Sequence, residues 1–176
     1  KNDSILITYK TLNKDNPKLN CRLKGFENFS PKRIILDNKL ETKLNSYIIK
    51  TANLNNTIIF YNKAKKSKIL EFKKKKIFLL KSKVNKNNDF DFNEILKKLF
   101  KYGCRNLLVE GGATLTGKLL RKRIFDEFYL FRGTKIIPKS AGYLAFNDLK
   151  LLKKKFKNKI NLNLNLGKDK ITLYKK

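Results

Sequence analysis

The 176-residue chain contains no methionine, no histidine and no tryptophan, and only two cysteines, three prolines and 14 acidic residues. Without histidine, neither a Ser-His-Asp triad nor a His-ligated metal centre can be assembled from this chain alone. Cys21 and Cys104 are too far apart in sequence to be a CxxC pair and too few for a disulfide framework. Two reduced cysteines are therefore expected, as in a cytoplasmic protein. No apolar run approaches the roughly 18 to 20 residues of a membrane-crossing helix, and no signal-peptide pattern opens the chain. The expectation is a soluble cytoplasmic protein with no membrane partner. The missing methionine adds a second expectation: a chain that begins at Lys1 is read as a piece of a longer translation product.

The shortage of acids leaves 43 Lys+Arg in large excess, for a formal charge of +29. Such a balance ordinarily points to nucleic acid. Here only six of the basic residues are arginine, and the lysines share the chain with abundant Asn, Ile and Phe. All four are encoded by A/T-rich codons, so the excess reads as nucleotide bias on tolerant surface positions rather than as a localised Arg-rich face. The lysine-dense stretch 63–76 has Phe72 as its single aromatic residue and is read as a solvated helix or loop face. No specific nucleic-acid partner is expected, although the charge favours anionic, phosphorylated small molecules.

At this length one domain with a sizeable core is expected. Residues 4–8, 31–37, 57–61 and 77–80 are short apolar runs suited to strands, and 46–52 is a further apolar, β-branched run. Between the first two, residues 11–17 cluster Asp, Asn and Pro and read as a loop. Residues 91–103 carry Ile95, Leu96, Leu99 and Phe100 at helical spacing, with Asp91 or Asn93 as N-cap and Gly103 as stop. This helix leads into Leu107-Leu108-Val109, read as a buried central strand that completes a strand-helix-strand unit. Residues 114–122 form a second helix and 126–131 another strand. At the end, residues 160–166 alternate apolar residues with Asn, and Gly167 leads into 170–174, which reads as an antiparallel hairpin with one buried face.

The chemistry concentrates where the strand 107–109 meets the helix. Glu110-Gly111-Gly112 breaks the strand and Thr114 opens the helix. A glycine turn between strand and helix lets backbone N–H groups approach an anion, and the helix dipole favours negative charge there. Thr114 or Thr116 can add a hydroxyl, and Glu110 stands where open α/β sheets place ligand-contacting side chains. The same spacing also suits a plain tight connection.

The full string LLVEGGATLTGKLL, with the strand after it, resembles the reductase domain of bacterial riboflavin-biosynthesis proteins, whose fold is similar to dihydrofolate reductase. The segment NDSILITYKTLNKDNPKLNCRL is similar to that family's cofactor-and-substrate loop. The resemblance implies an α/β fold with a mostly parallel central sheet flanked by helices, and NADPH as cofactor. It implies that Thr11, Asp15 and Asn38 face NADPH and that Gly112, Ala113, Thr114, Leu115, Thr116, Gly117 and Lys118 line its phosphates. Leu19, Arg22 and Glu110 would face the substrate, 5-amino-6-(5-phosphoribosylamino)uracil, whose ribosyl group is reduced to the ribityl form. A guanidinium such as that of Arg22 suits a sugar phosphate. The cofactor supplies the reacting hydride, so no acid–base residue and no metal are expected.

The chain departs from the family at Thr8-Tyr9-Lys10, where relatives carry a small residue and glycine. It departs again over residues 131–138, where relatives have a Pro- and Gly-containing segment. The resemblance further implies a strand and helix upstream, so residues 1–176 are expected to be a single reductase domain truncated at its N-terminus. A zinc deaminase domain, fused upstream or as a separate chain, and a homodimer are the partners it implies. Two other functions stay open on the residues: another dihydrofolate-reductase-like oxidoreductase, and a basic nucleic-acid-binding protein whose affinity would fall steeply with salt.

Overall fold

A computed structural model describes residues 2–134, 148–162, 164 and 166–176. The chain divides into two compact units, Lys1–Gly111 and Gly112–Lys176.

The first unit carries a five-stranded parallel sheet in the order β4-β3-β2-β1-β5. Its strands are β1 (Ser4–Thr8), β2 (Lys32–Leu36), β3 (Thr57–Tyr61), β4 (Phe78–Lys81) and β5 (Leu107–Val109). Helices α1 (Tyr9–Asp15), α2 (Tyr47–Lys50), α3 (Lys66–Lys74) and α4 (Phe92–Lys101) connect them. Parallel strands covered on both faces need apolar residues at every position, which is why these runs are continuous rather than alternating. Ile7, Ile35 and Ile59 stand in register across β1, β2 and β3, fully buried with Leu12 of α1, Ile48 and Ile49 of α2 and Phe72 of α3. On the opposite face Leu6, Ile34 and Ile58 form a second buried row. Trimming Ile35 to alanine should cost about 2–5 kcal/mol, read by chemical denaturation; a loss below about 1 kcal/mol would show that the row is not the core.

Three expectations change here. Residues 11–17 are not a loop: Thr8 caps α1 by accepting the Thr11 N–H, and Asn16 ends it in the left-handed region just before Pro17. A single buried apolar residue, Leu12, anchors this helix, so no periodicity announces it. The run 46–52 folds as the one-turn helix α2, burying two adjacent isoleucines, and four residues are too few to show a period. Third, β5 lies at the sheet edge rather than at its centre, and Leu108 is 37% exposed. Helix α4 is present as expected, with Asp91 accepting the Asn93 N–H as N-cap and Ile95 and Leu99 buried, but Phe100 of the expected apolar stripe is 60% exposed and Phe92 is buried instead. It joins β4 to β5, which are the two opposite edges of the sheet.

Polar clamps hold this unit at its margins. The Arg33 guanidinium is buried and donates to Thr51 Oγ1 and O and to Asn56 Oδ1, all at 2.8–2.9 Å, which ties β2 to the turn before β3. Asp3 accepts the Arg105 and Asn106 N–H groups and so joins the start of β1 to the start of β5. Both cysteines are free. Cys104 is buried and burial pushes its thiol up, whereas Cys21 is half-exposed. A thiol-alkylating reagent at neutral pH should label Cys21 first and Cys104 only on unfolding; simultaneous labelling of the native protein would contradict this packing.

The second unit holds α5 (Ala113–Lys122), β6 (Glu127–Arg132), α6 (Leu149–Lys155), β7 (Lys159–Leu162) and β8 (Lys170–Lys175). Its antiparallel sheet runs β6-β8-β7. Leu120 of α5, Leu152 and Phe156 at α6, and Tyr174 of β8 form its core. The C-terminal hairpin is present as β7 and β8, but its burial differs from the alternating pattern. Ile171, Thr172, Leu173 and Tyr174 of β8 are all buried, while Ile160 of β7 is 50% exposed. The reason is placement: β8 is the middle strand and β7 an edge. Asn163 and Asn165 of the alternating run, and residues 135–138 of the segment that departs from the family, lie outside the described residues. Helix α6 was not anticipated.

Candidate functional site

Parallel neighbours end side by side, so the C-terminal ends of β2, β1 and β5 form one margin of the first unit. The residues following these three strands are Asp37-Asn38, Tyr9 to Thr11, and Glu110. Thr8 and Thr11 hydroxyls lie 3.2 Å apart at the start of α1, and the Thr11 N–H donates to Thr8 Oγ1. Asp15, the last residue of α1, is exposed, as are Arg22 and Glu110. The Glu110 N–H donates to Leu6 O, which holds this residue beside β1. Leu19 occupies the left-handed region at φ 49° and packs on the Ile7–Ile35–Ile59 core, which over-determines an otherwise costly backbone.

The loop after β2 is built by Asp37. Its carboxylate is fully buried and accepts the Glu41 and Thr42 N–H groups at 2.8 and 2.7 Å. The adjacent Asn38 carbonyl accepts from the Asn62 and Lys63 N–H groups. Asn38 Oδ1 and Thr42 Oγ1, however, are buried with no protein partner. Ser46 Oγ is in the same state, and since a buried acceptor left unpaired costs about 1–3 kcal/mol, this loop can take hydrogen-bond donors from a ligand or from solvent. Hydroxyl and amide groups of a nicotinamide dinucleotide fit that need.

Two residues that sequence reasoning passed over shape this margin. Asn13 donates to Glu41 O and accepts the Lys43 N–H, and Asn16 accepts the Tyr47 N–H. Together they fasten α1 to the loop 41–47. Their signal was present, but asparagines beside Pro17 were read as turn chemistry. Burial, then the neighbouring Glu41 and Asp37 carboxylates, push the Tyr9 phenol up, so it stays protonated as a donor within this cluster.

In the second unit, α5 begins at Gly112 with no side-chain cap and no acidic residue in its first turn. A Cβ placed on Gly112 would meet nothing within 4 Å, and its φ of −64° suits any residue. Glycine is therefore not required by the backbone; what it leaves is open approach to an uncapped helix N-terminus. Thr114 is exposed and Thr116 and Lys118 are half-buried on this helix. Leu115 and Gly117 are buried on the same helix, which leaves their backbone as the part that a ligand could meet. At Gly117 a Cβ would collide with the Asp148 carboxylate and crowd the Arg121 guanidinium. That glycine serves the approach of α6, whose Asp148 pairs with Arg121 at 2.8 Å. Among the described residues no helix is long and apolar enough to cross a membrane, and no three His, Cys, Asp or Glu side chains gather as metal ligands.

Comparison with known proteins bears on the family and the fold. Riboflavin biosynthesis protein RibD of Aquifex aeolicus is 30% identical over 175 residues, which is 98% of this chain and 46% of that protein. A 2,5-diamino-6-ribosylamino-4(3H)-pyrimidinone 5′-phosphate reductase of the same organism is 29% identical over 159 residues, covering 86% of this chain and 68% of the relative. The chain thus spans about half the length of the RibD relative. Among solved structures, Acinetobacter baumannii RibD superposes on 99% of this chain and 47% of its own with a TM-score of 0.72 at 19% identity, which confirms the fold. The family model described as RibD C-terminal domain matches residues 1–170, and the chain belongs to that family.

Proposed function

We propose that this chain is an NADPH-dependent reductase acting on 5-amino-6-(5-phosphoribosylamino)uracil, converting its ribosyl group to the ribityl form. The observation that carries the proposal is the N-terminus of α5 at Gly112, open and without a side-chain cap, two residues after Glu110 in the chain. The cofactor, when bound, supplies the hydride that reaches the sugar C1′. The protein's contribution is to bind and orient. The N–H groups of Ala113 and Thr114 hold a cofactor phosphate, with Thr116 and Lys118 on the same helix. In the first unit, Thr11, Asp15 and Asn38 are the cofactor contacts that the family resemblance implies. Leu19, Arg22 and Glu110 take the substrate, with Arg22 on its phosphate. A relative named for the pyrimidinone phosphate supports the same class of acceptor. A deaminase partner, fused or separate, would supply the uracil from its diamino precursor.

The test is NADPH oxidation by the purified chain with the phosphoribosylaminouracil, beside the diaminopyrimidinone phosphate as alternative acceptor. Turnover preferring the uracil is expected. Preference for the pyrimidinone would reassign the substrate, and a folded chain that neither binds NADPH nor turns over either acceptor would overturn the reading. Arg22→Ala should raise KM for the phosphorylated acceptor about 10- to 100-fold, the worth of a charge-assisted phosphate contact, with kcat little changed. An unchanged KM would remove Arg22 from the site.

A further inference from the structure

Away from the residues assigned above, the second unit contains a cavity of about 510 Å³ between α6 and the antiparallel sheet. Its charged lining is of one sign: Arg132 at the end of β6, Lys153 on α6, and Lys157 and Lys159 where the chain enters β7. None of these four side chains takes part in a hydrogen bond or ion pair with another described residue. Arg121, Lys98 and Lys175, by contrast, are held by Asp148, Glu94 and Glu127. Among the described residues no acidic side chain lines the cavity.

The neutral polar groups point to the same class of ligand. Thr172 is buried and its hydroxyl lies 3.1 Å from Asn161 Oδ1, to which it donates. That engages the amide oxygen of Asn161 and leaves its NH₂ as a donor. Phe156 and Tyr174, both nearly fully buried, supply a rigid floor. Four cations and an amide donor around a preformed concavity, with no carboxylate to neutralise them, are complementary to an anion carrying several oxygens. A volume of this size accommodates a small molecule rather than a polymer strand.

We infer that this cavity is a second binding site, separate from the Gly112 cradle, for a small molecule bearing two or more phosphate groups. Arg132 provides bidentate contacts to one phosphate, while the three lysines act as point charges around the rest. Salt should weaken the interaction, because the cations stand at a solvent-accessible rim. The site does not depend on the reductase reading.

The experiment is calorimetric titration of inorganic tripolyphosphate into three versions of the chain: unaltered, Arg132→Gln with Lys153→Gln, and Lys73→Gln with Lys74→Gln on α3. The two pairs remove equal charge, and all four residues are exposed, so folding should survive in each. Saturable binding weakened at least about tenfold by the first pair and less than about twofold by the second is the expected result, since local contacts and not total charge would hold the ligand. Equal weakening in both pairs would mean diffuse attraction to a chain of charge +29 and would overturn the site. So would the lack of any saturable phase. A short single-stranded RNA that binds through Arg132 and Lys153 while tripolyphosphate does not would also overturn it, marking a nucleic-acid face instead.

Discussion

Replacing Gly112 with aspartate is expected to weaken NADPH binding by about 100-fold or more while leaving the protein equally stable or more so. The two effects have opposite signs because they arise from different states. In the free protein, α5 starts without a side-chain cap and a residue at Gly112 meets open space at an ordinary φ. Aspartate is among the best N-caps, worth about 0.5–2 kcal/mol over residues that cannot cap and a few tenths over glycine, and its charge suits the positive helix end. With the cofactor bound as proposed, that same carboxylate would stand at the phosphate position. Two negative charges about 4 Å apart repel by roughly 4 kcal/mol at the effective dielectric of a protein surface, enough for the stated loss. Titration calorimetry and a denaturation curve on the same sample check both halves. Unchanged affinity in a folded variant would show that α5 does not cradle the cofactor, whereas loss of stability would show that Gly112 is there for packing.

Asp37→Ala should be as damaging as a core truncation, costing about 2–5 kcal/mol by urea denaturation. Truncation strands two backbone N–H groups, those of Glu41 and Thr42, in a buried loop, at about 1–3 kcal/mol each. Asp37→Asn retains one acceptor and should lose about half as much. The consequence reaches further than stability. Glu41 and Thr42 are held by that carboxylate and Asn38 lies on the same loop, so NADPH affinity should fall in the asparagine variant even where it remains folded. A loss under about 1 kcal/mol for the alanine variant would mean that water replaces the carboxylate at little cost.

What could be read from residues alone followed the length of each pattern. Strands β1 to β4 were legible as continuous apolar, β-branched runs and helices α4 and α5 by repeated helical spacing. Helix α1 was not, since its stability rests on a threonine cap and on asparagines that reach across to residues 41–47, contacts that exist only after folding. Helix α2 was hidden by its brevity. At the candidate site the string from Glu110 to Lys118 was visible as a whole, but the division of labour within it was not. Nothing in the sequence distinguishes Gly112, which leaves open space, from Gly117, which admits Asp148. The orphaned acceptors Asn38 Oδ1 and Thr42 Oγ1 belong to the same class, because an unpaired atom is a property of surroundings rather than of residue type.

Strand order also dictates an order in time. Strands β1, β2, β3 and β4 are laid down in sequence and each pairs with its predecessor, whereas β5 must return across the whole first unit to pair Leu107 with Ser4. Closing that longer loop costs about 1 kcal/mol more chain entropy than bringing β2 to β1, and β5 repays it with only three paired residues. The refolding transition state should therefore contain the β1–β2–β3 nucleus without β5. Val109→Ala should speed unfolding and barely slow refolding, while Ile35→Ala should slow refolding; the reverse pattern in stopped-flow kinetics would place β5 in the nucleus. Glu110, riding on the end of β5, would then be delivered last, so a chain can acquire most of its protection from unfolding before it becomes able to hold a substrate.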